Sequence, residues 1–591
     1  MNYRHCLALI FAVLWGVLVS LSVSAQSLSE RDRLPDPAQM CSKLAELDRT
    51  SLPNPDTSII SARIVGSGRG ADGAARLPEH CQVLGKINER IGFNSQSYAI
   101  RFHLRLPSNW NRGFYFQGGG GTNGNLGTAL GSIRGRGRTT ALSLGYAVVS
   151  QNAGHDNAIN NDPRLNGAQT FGFDPQARLD YGYNSYDQVT QTAKALIAVF
   201  YGEPPARSYY VGCSEGGREG MMMSQRFPSY YDGIVSTAPG FTLPRASVFG
   251  EAWDTQAFAE AAIASGIYDR DGQPFLNKTF TDDDLALVSQ AVLLACDQLD
   301  GLADGLIEDS PACTTARVLP KLNALECRRG KNASCLSAPQ LTALRKVYDG
   351  VKNSKGESLY SDWPWDSGIG GQVGDTYFQG WRRWKIGSFD SDINSAINVT
   401  MGTGAAAAIF TTPPTPFPWE GSGRMQFMLD FNFDTDADKI HATSQLYRES
   451  AWDFMMASST DLTEFRNRGS KLVVIHGVSD PIFSVNDTIR WWREVDRVNN
   501  GSAANFVRLF PVPGMAHCSG GPAIGQYDAF ASLVDWVERG LAPDRILATA
   551  GDETPWPNRT RPLCPFPKQA RYTGEGSIED ASNFICQAPD R

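Results

Sequence analysis

The chain has 591 residues, 42% of them hydrophobic and 20% charged, with 54 Lys+Arg against 62 Asp+Glu and a formal net charge of −8. This composition excludes a disordered, collagen-like or coiled-coil protein. With no basic run it carries no electrostatic footprint for nucleic acid or an anionic membrane, so the expected partner is a small molecule.

The first 25 residues read as an export signal: Arg4 and His5, an uncharged apolar stretch from Cys6 to Val19, then Val23-Ser24-Ala25 before Gln26, with cleavage expected after Ala25. The alternative is an uncleaved anchor, because Cys6 to Ala25 is uncharged and long enough to span a bilayer. No later segment is apolar enough to span, and the expected location is secreted or periplasmic. Of the 11 cysteines, Cys6 leaves with the signal, and an even set remains: Cys41, Cys81, Cys213, Cys296, Cys313, Cys327, Cys335, Cys518, Cys564 and Cys586. An even set in an exported chain argues for disulfides. Local spacing suggests Cys41 with Cys81, Cys296 with Cys313, Cys327 with Cys335 and Cys564 with Cys586, which leaves Cys213 and Cys518 as a long-range pair. Free buried thiols are the alternative; without any C-x-x-C, zinc is not expected.

In chain order, apolar runs of strand length then alternate with helical ones: AIRFHLRLP, GFYFQGG, YAVVSQNAG, the helical SYDQVTQTAKALIAVFYG, SYYVGC, the helical GGREGMMMSQRFP and YDGIVSTAPG. The rhythm returns with KLVVIHGVSD, the helical TIRWWREVDRV, NFVRLFPVPG and the helical YDAFASLVDWVERG. Such alternation predicts an α/β fold with a mostly parallel sheet. Residues 241–460 differ in kind, rich in Gly, Ala, Trp and Pro, with helical patches such as TDDDLALVSQAVLLACDQLD and an irregular Pro-rich stretch at 411–421. They read as a lid domain inserted between core segments 26–240 and 461–591.

Gly212-Cys213-Ser214-Glu215-Gly216 follows the strand run SYYVG and precedes a helix, the context in which G-x-S-x-G lifts a nucleophilic serine above a sheet. A serine nucleophile needs a base, and the base an orienting carboxylate. Asp480 ends KLVVIHGVSD and His517 ends NFVRLFPVPGMAH, which gives the chain order Ser, Asp, His required by an α/β-hydrolase fold. A turn carboxylate and a satisfied polar histidine are the plain alternatives. If Ser214 and His517 are within hydrogen-bond reach, Cys213 and Cys518, their neighbours, fall at disulfide distance. The oxyanion donors expected are the backbone N–H of Glu215 and one from the run Gly118 to Gly121, with Gly121 chosen; a phosphate loop is the rival reading but lacks the G-K-[ST] ending.

These motifs, with the runs DPQARLDYGYNSYDQVTQ (174–191), GCSEGGREGMMMSQRFPSYYDGIV (212–235) and PGMAHCSGG (513–521), resemble the tannase and feruloyl esterase family of α/β hydrolases. The resemblance covers nearly the whole mature chain and its five cysteine pairs. It implies a serine carboxylesterase whose lid closes over an aromatic acyl group, acting on a monoester like mono(2-hydroxyethyl) terephthalate or on hydroxycinnamate and gallate esters. A non-catalytic secreted binding protein on the same scaffold and a peptidase are the other readings. In the lid, Asp297, Asp300 and Asp304 cluster on a glycine-bent loop, an oxygen-only set that suits structural calcium although the spacing is not that of an EF-hand. Similarity adds the backbone carbonyls of Leu302 and Leu306; a solvated acidic loop is the alternative. Trp384, Phe410 and Phe483 match aromatic positions that enclose the acyl ring. The arginine that grips a free ring carboxylate in terephthalate-type members has no counterpart, because 394–404 contains no basic residue, with Asn398 or Ile397 at its place.

Overall fold

In the computed structural model, residues 36–69, 76–133, 135, 137, 139–370 and 380–589 are described. The signal read over 1–25 lies outside the described residues. The scaffold is one mixed sheet of nine strands: β1 Thr57–Val65, β2 His80–Ile91, β3 Ser97–Pro107, β4 Gly113–Gln117, β5 Ala147–Gln151, β6 Arg207–Cys213, β7 Gly233–Thr237, β8 Lys471–Gly477 and β9 Val507–Val512. Their order across the sheet is β1-β2-β3-β5-β4-β6-β7-β8-β9. The first three strands and β5 pair antiparallel, and everything from β5 to β9 is parallel.

The residue pattern explains the layers. Along β4 and β8, alternate side chains enter two different cores: Phe114, Phe116, Leu472 and Val474 face one, and Tyr115, Val473 and Ile475 the other. A parallel strand covered on both faces reads as a near-continuous apolar run, as Phe114–Phe116 and Leu472–Ile475 do. Helices α1 (Ser185–Tyr201) and α2 (Glu215–Arg226) cover the first face, joined there by Val485–Val498. Ala529–Arg539 covers the second through Phe530, Leu533 and Trp536. Strands β1 and β2 extend the sheet beyond the sequence expectation, which began near residue 100. The edge strand β1, TSIISARIV, is half-exposed along most of its length, so it lacks the continuous apolar run that marks the parallel strands.

Among the described residues, no strand of this sheet comes from 241–460. That segment contributes helices, including α3 (Glu251–Ala264), Asp282–Cys296 and Ala338–Tyr348. The apolar side chains of the insertion form a third core that is continuous with Tyr98, Ala153, Phe171, Tyr181, Ile482 and Phe483 of the sheet domain. Residues Pro37–Arg591 accordingly form one compact unit. The stretch 411–421 is irregular, as its prolines require. The cysteines pair as their spacing suggests: Cys41–Cys81, Cys213–Cys518, Cys296–Cys313, Cys327–Cys335 and Cys564–Cys586.

Candidate active site

Ser214 stands between the end of β6 and the start of α2, with φ 64° and ψ −121°. A non-glycine residue at positive φ is strained, and here the turn is over-determined by its surroundings. Ser214 N–H donates to Thr237 O at 3.0 Å, and Ser214 O accepts from Arg218 N at 2.9 Å. The flanking glycines are required by space: a Cβ on Gly212 would lie 2.4 Å from Gly216 O, and one on Gly216 would lie 2.6 Å from Gly119 O. Close backbone contact between elbow and glycine loop is what brings the two together.

The three residues expected from the sequence meet. His517 Nε2 is 2.8 Å from Ser214 Oγ, and His517 Nδ1 is 2.8 Å from Asp480 Oδ2. Asp480 Oδ1 accepts from the N–H groups of Ile482 at 2.9 Å and Phe483 at 3.1 Å. Burial alone would push the Asp480 carboxyl up, but the attraction of His517 and hydrogen bonds from His476 and His517 outweigh it, and its pKa lies below the usual carboxylate range. The carboxylate is thus ionised and fixed, able to orient an imidazole and to stabilise its protonated form. His476 lies behind it, 3.5 Å from Asp480 Oδ2, and is itself held by Thr488 Oγ1 and Phe483 O. Cys213 and Cys518 are bonded, with Cα atoms 6.0 Å apart, so a covalent tie joins the neighbours of Ser214 and His517 across 305 residues of sequence.

The glycine loop resolves by elimination. Gly118 N–H donates to Val211 O, Gly119 N–H to Glu219 Oε2 and Gly120 N–H to Asn123 Oδ1, whereas Gly121 N–H has no acceptor among the described residues. Glu219, fully buried on α2, organises this loop, because Oε1 also accepts from Asn123 Nδ2 at 2.9 Å and Oε2 from the Tyr210 hydroxyl. Nothing in the sequence distinguishes Glu219 from a solvent-facing helical glutamate; only the fold buries it.

Ser214, His517, Gly121 and Glu215 open into a cavity of about 420 Å³ whose other walls include Tyr181, Leu243, Ser247, Glu251, Trp384, Ile397, Met401, Phe410, Ile482 and Phe483. Trp384 and Phe483 meet the His517 ring edge-to-face at 5.7 and 5.5 Å. Tyr181, Met401, Gly402 and Phe410 sit on wide i→i+5 helical turns, at Asp180–Asn184, Asn398–Gly402 and Ala406–Phe410, a backbone form frequent at functional sites. A larger cavity of about 710 Å³, lined by Trp492, Arg493, Phe566 and Lys568 among others, contains none of these groups.

A family model described as tannase and feruloyl esterase matches residues 81–587. The mono(2-hydroxyethyl) terephthalate hydrolase of Piscinibacter sakaiensis is 48% identical over 91% of this chain and 89% of that protein. The chain belongs to the tannase and feruloyl esterase family. A probable feruloyl esterase of Aspergillus flavus is 26% identical over 83% of this chain and 84% of that protein. The fold is also that of two solved members: feruloyl esterase B from Aspergillus oryzae (TM-score 0.69, 23% identity, 93% of this chain and 100% of that one) and tannin acyl hydrolase from Aspergillus niger (TM-score 0.65, 20% identity, 94% and 96%).

The described lining of the cavity contains no lysine or arginine. Ile397 lines the cavity, whereas Asn398 is buried behind it. Arg382 donates to Phe280 O and Asn277 O and pairs with Asp282, and Arg383 donates to Ser395 O, so neither lines the pocket. In the acidic loop of this tannase-family chain, Asp297 accepts from Gly305 N at 3.1 Å, Asp300 from Leu302 N and Glu308 N at 3.0 Å, and Asp304 from the Arg561 guanidinium. Gly301 and Gly305 turn the loop at φ 92° and 88°. Among the described residues, no group of three or more His, Cys, Asp or Glu side chains is placed to hold a metal on its own.

Proposed function

We propose that this chain is a serine carboxylesterase for esters of aromatic carboxylic acids. The observation that carries the proposal is the hydrogen-bonded relay Ser214–His517–Asp480, with 2.8 Å at each link, opening into a cavity walled by Trp384, Phe410 and Phe483. Ser214 Oγ attacks the ester carbonyl as His517 Nε2 takes its proton, and Asp480 stabilises the imidazolium. The N–H groups of Gly121 and Glu215 receive the negative charge that develops on the carbonyl oxygen, and the start of α2 adds a favourable dipole. His517 returns the proton to the departing alcohol, and an acyl-Ser214 intermediate remains. Water, activated by the same histidine, then releases the acid.

The 48% identical relative supports a mono(2-hydroxyethyl) terephthalate-like monoester as substrate. One observation favours a second reading, hydroxycinnamate or gallate esters: a free ring carboxylate would enter a described lining without a cation, and an unpaired buried charge is costly. Assays of the purified enzyme on terephthalate monoester, methyl ferulate, methyl gallate and a short aliphatic ester test the proposal. Turnover of the aliphatic ester alone would overturn the aromatic assignment, and turnover of none would overturn the esterase. The insertion supplies Trp384 and Phe410 and acts as the lid over the acyl group. The oxidising chemistry needed for five disulfides supports a secreted or periplasmic location. The hard oxygen donors of Asp297, Asp300 and Asp304, with the carbonyls of Leu302 and Leu306, suit a calcium ion that would brace the loop between Cys296 and Cys313. Such an ion has no part in the chemistry at Ser214.

A further inference from the structure

We propose that Asp366 is a positioning residue: a carboxyl group of the insertion that holds the loops carrying Asp480 and His517 together, so that the insertion sets the relay as well as walling the cavity. The inference rests on the esterase reading above and adds to it a residue that does not line the cavity.

Asp480 and His517 stand on the loops that follow β8 and β9. The parallel pairing of these two strands fixes where the loops begin, but not how they are held beyond the sheet. Asp366 is buried and comes from the insertion, far from both loops in sequence. Its Oδ2 atom accepts from Ser479 Oγ at 2.6 Å and from Gly514 N–H at 2.7 Å. Ser479 immediately precedes Asp480, and Gly514 lies three residues before His517. One oxygen atom therefore joins the loop of the acid to the loop of the base. Ser479 Oγ in turn accepts from Gly368 N–H at 3.0 Å, which ties the same loop to the insertion a second time. A side chain on Gly368 would break this approach, since its Cβ would run into Ser479 and lie 2.8 Å from Gly514 O.

Asp366 can hold these loops because it is itself held. The adjacent Trp365 is fully buried, stacks on Tyr348 with ring centroids 3.6 Å apart, and donates from Nε1 to Thr315 Oγ1 at 2.9 Å. On its other side, Ser367 O accepts from Ser289 Oγ at 2.6 Å. The same stretch of the insertion also grips the far end of the Asp480 loop: Ser484 N–H donates to the Tyr360 hydroxyl at 3.1 Å, and Ser484 Oγ donates to Asp362 O at 2.6 Å. Asp480 is thus bracketed by the insertion before and after it in the chain. Removing the Asp366 carboxyl leaves two buried donors unpaired and frees both loops. A misplacement of about 1 Å in a catalytic constellation costs on the order of a hundredfold in rate.

The test compares the wild type with Asp366→Ala, Asp366→Asn and Ser479→Ala in methyl ferulate kinetics, in the rate at which a fluorophosphonate modifies Ser214, and in melting temperature. Asp366→Ala is expected to lower kcat about a hundredfold with KM within about threefold, and to slow labelling in proportion, because labelling needs the relay. Asp366→Asn, which keeps an accepting oxygen, should retain most of kcat. Ser479→Ala removes one hydroxyl alone and should lower kcat about tenfold. An Asp366→Ala enzyme that melts earlier but keeps its kcat and labelling rate would show a merely structural role and overturn the proposal, as would a change confined to KM. An Asn variant as slow as the Ala variant would make charge, not position, the cause and would also overturn it. If Asp366→Ala does not fold, Ser479→Ala decides, and full kcat there overturns the proposal. A wild type that neither hydrolyses an ester nor takes the label refutes the esterase reading, whereas an active wild type with unaffected variants overturns the role of Asp366 alone.

Discussion

Replacing Glu219 with alanine should disable the oxyanion loop without touching the relay. The Glu219 carboxylate accepts from Gly119 N–H at 3.0 Å, Asn123 Nδ2 at 2.9 Å, Gln151 Nε2 at 3.4 Å and the Tyr210 hydroxyl. Asn123 in turn holds Gly120 N–H at 2.8 Å, so two consecutive peptides before Gly121 depend on one side chain. Each donor left unsatisfied costs about 1–3 kcal/mol, part of it recovered by water entering the vacated space. The protein should therefore unfold at a lower temperature. Loss of one aligned oxyanion donor costs about 10²–10³ in kcat, or about 2.7–4 kcal/mol. Because the donor acts on charge present only in the transition state, KM should move by less than about threefold. Steady-state kinetics on methyl ferulate, with far-ultraviolet circular dichroism to confirm folding, read both numbers. A folded Glu219→Ala enzyme with kcat within about threefold of wild type would refute the argument that Glu219 aligns Gly121.

Further outcomes follow from the same geometry. Replacing Cys213 and Cys518 together with serine should lower activity far more than helical content, since the bridge ties the neighbours of Ser214 and His517; circular dichroism and kinetics on one sample decide it, and an unreduced peptide map should show the pair linked. Arginine introduced at Ile397, which lines the cavity, should lower KM for a terephthalate monoester about tenfold and scarcely change it for methyl ferulate, whereas Asn398→Arg would bury a charge and destabilise the fold. Removing calcium with a chelator should lower the melting temperature by several degrees, restored by added calcium and not by magnesium, and an unchanged melting curve with no protein-bound calcium by elemental analysis would remove the ion from the account.

The legible parts of this protein are those in which local pattern and tertiary position coincide. Ser214, Asp480 and His517 each follow an apolar run that becomes a buried parallel strand, so chain order places them beyond the carboxyl ends of strands of one sheet. The long-range disulfide is readable because four cysteine pairs are local and one is not. Strand β1 is harder to read because an edge strand half-open to solvent tolerates polar residues, and β2 because buried and half-buried positions alternate along it. Glu219 is illegible for a different reason: a helical glutamate normally faces solvent, and only the glycine loop shows what its carboxyl meets. The choice of Gly121 among four glycines likewise follows from where the other three N–H groups go.

The central claim is that Ser214 is the nucleophile of an aromatic-ester hydrolase, and covalent inhibition tests it in one measurement. Treating the enzyme with a fluorophosphonate and following the adduct by peptide mass spectrometry should place one modification on Ser214, with methyl ferulate hydrolysis lost in proportion to labelling. Activity that survives complete modification of Ser214, or inactivation with the adduct on another residue, would contradict it.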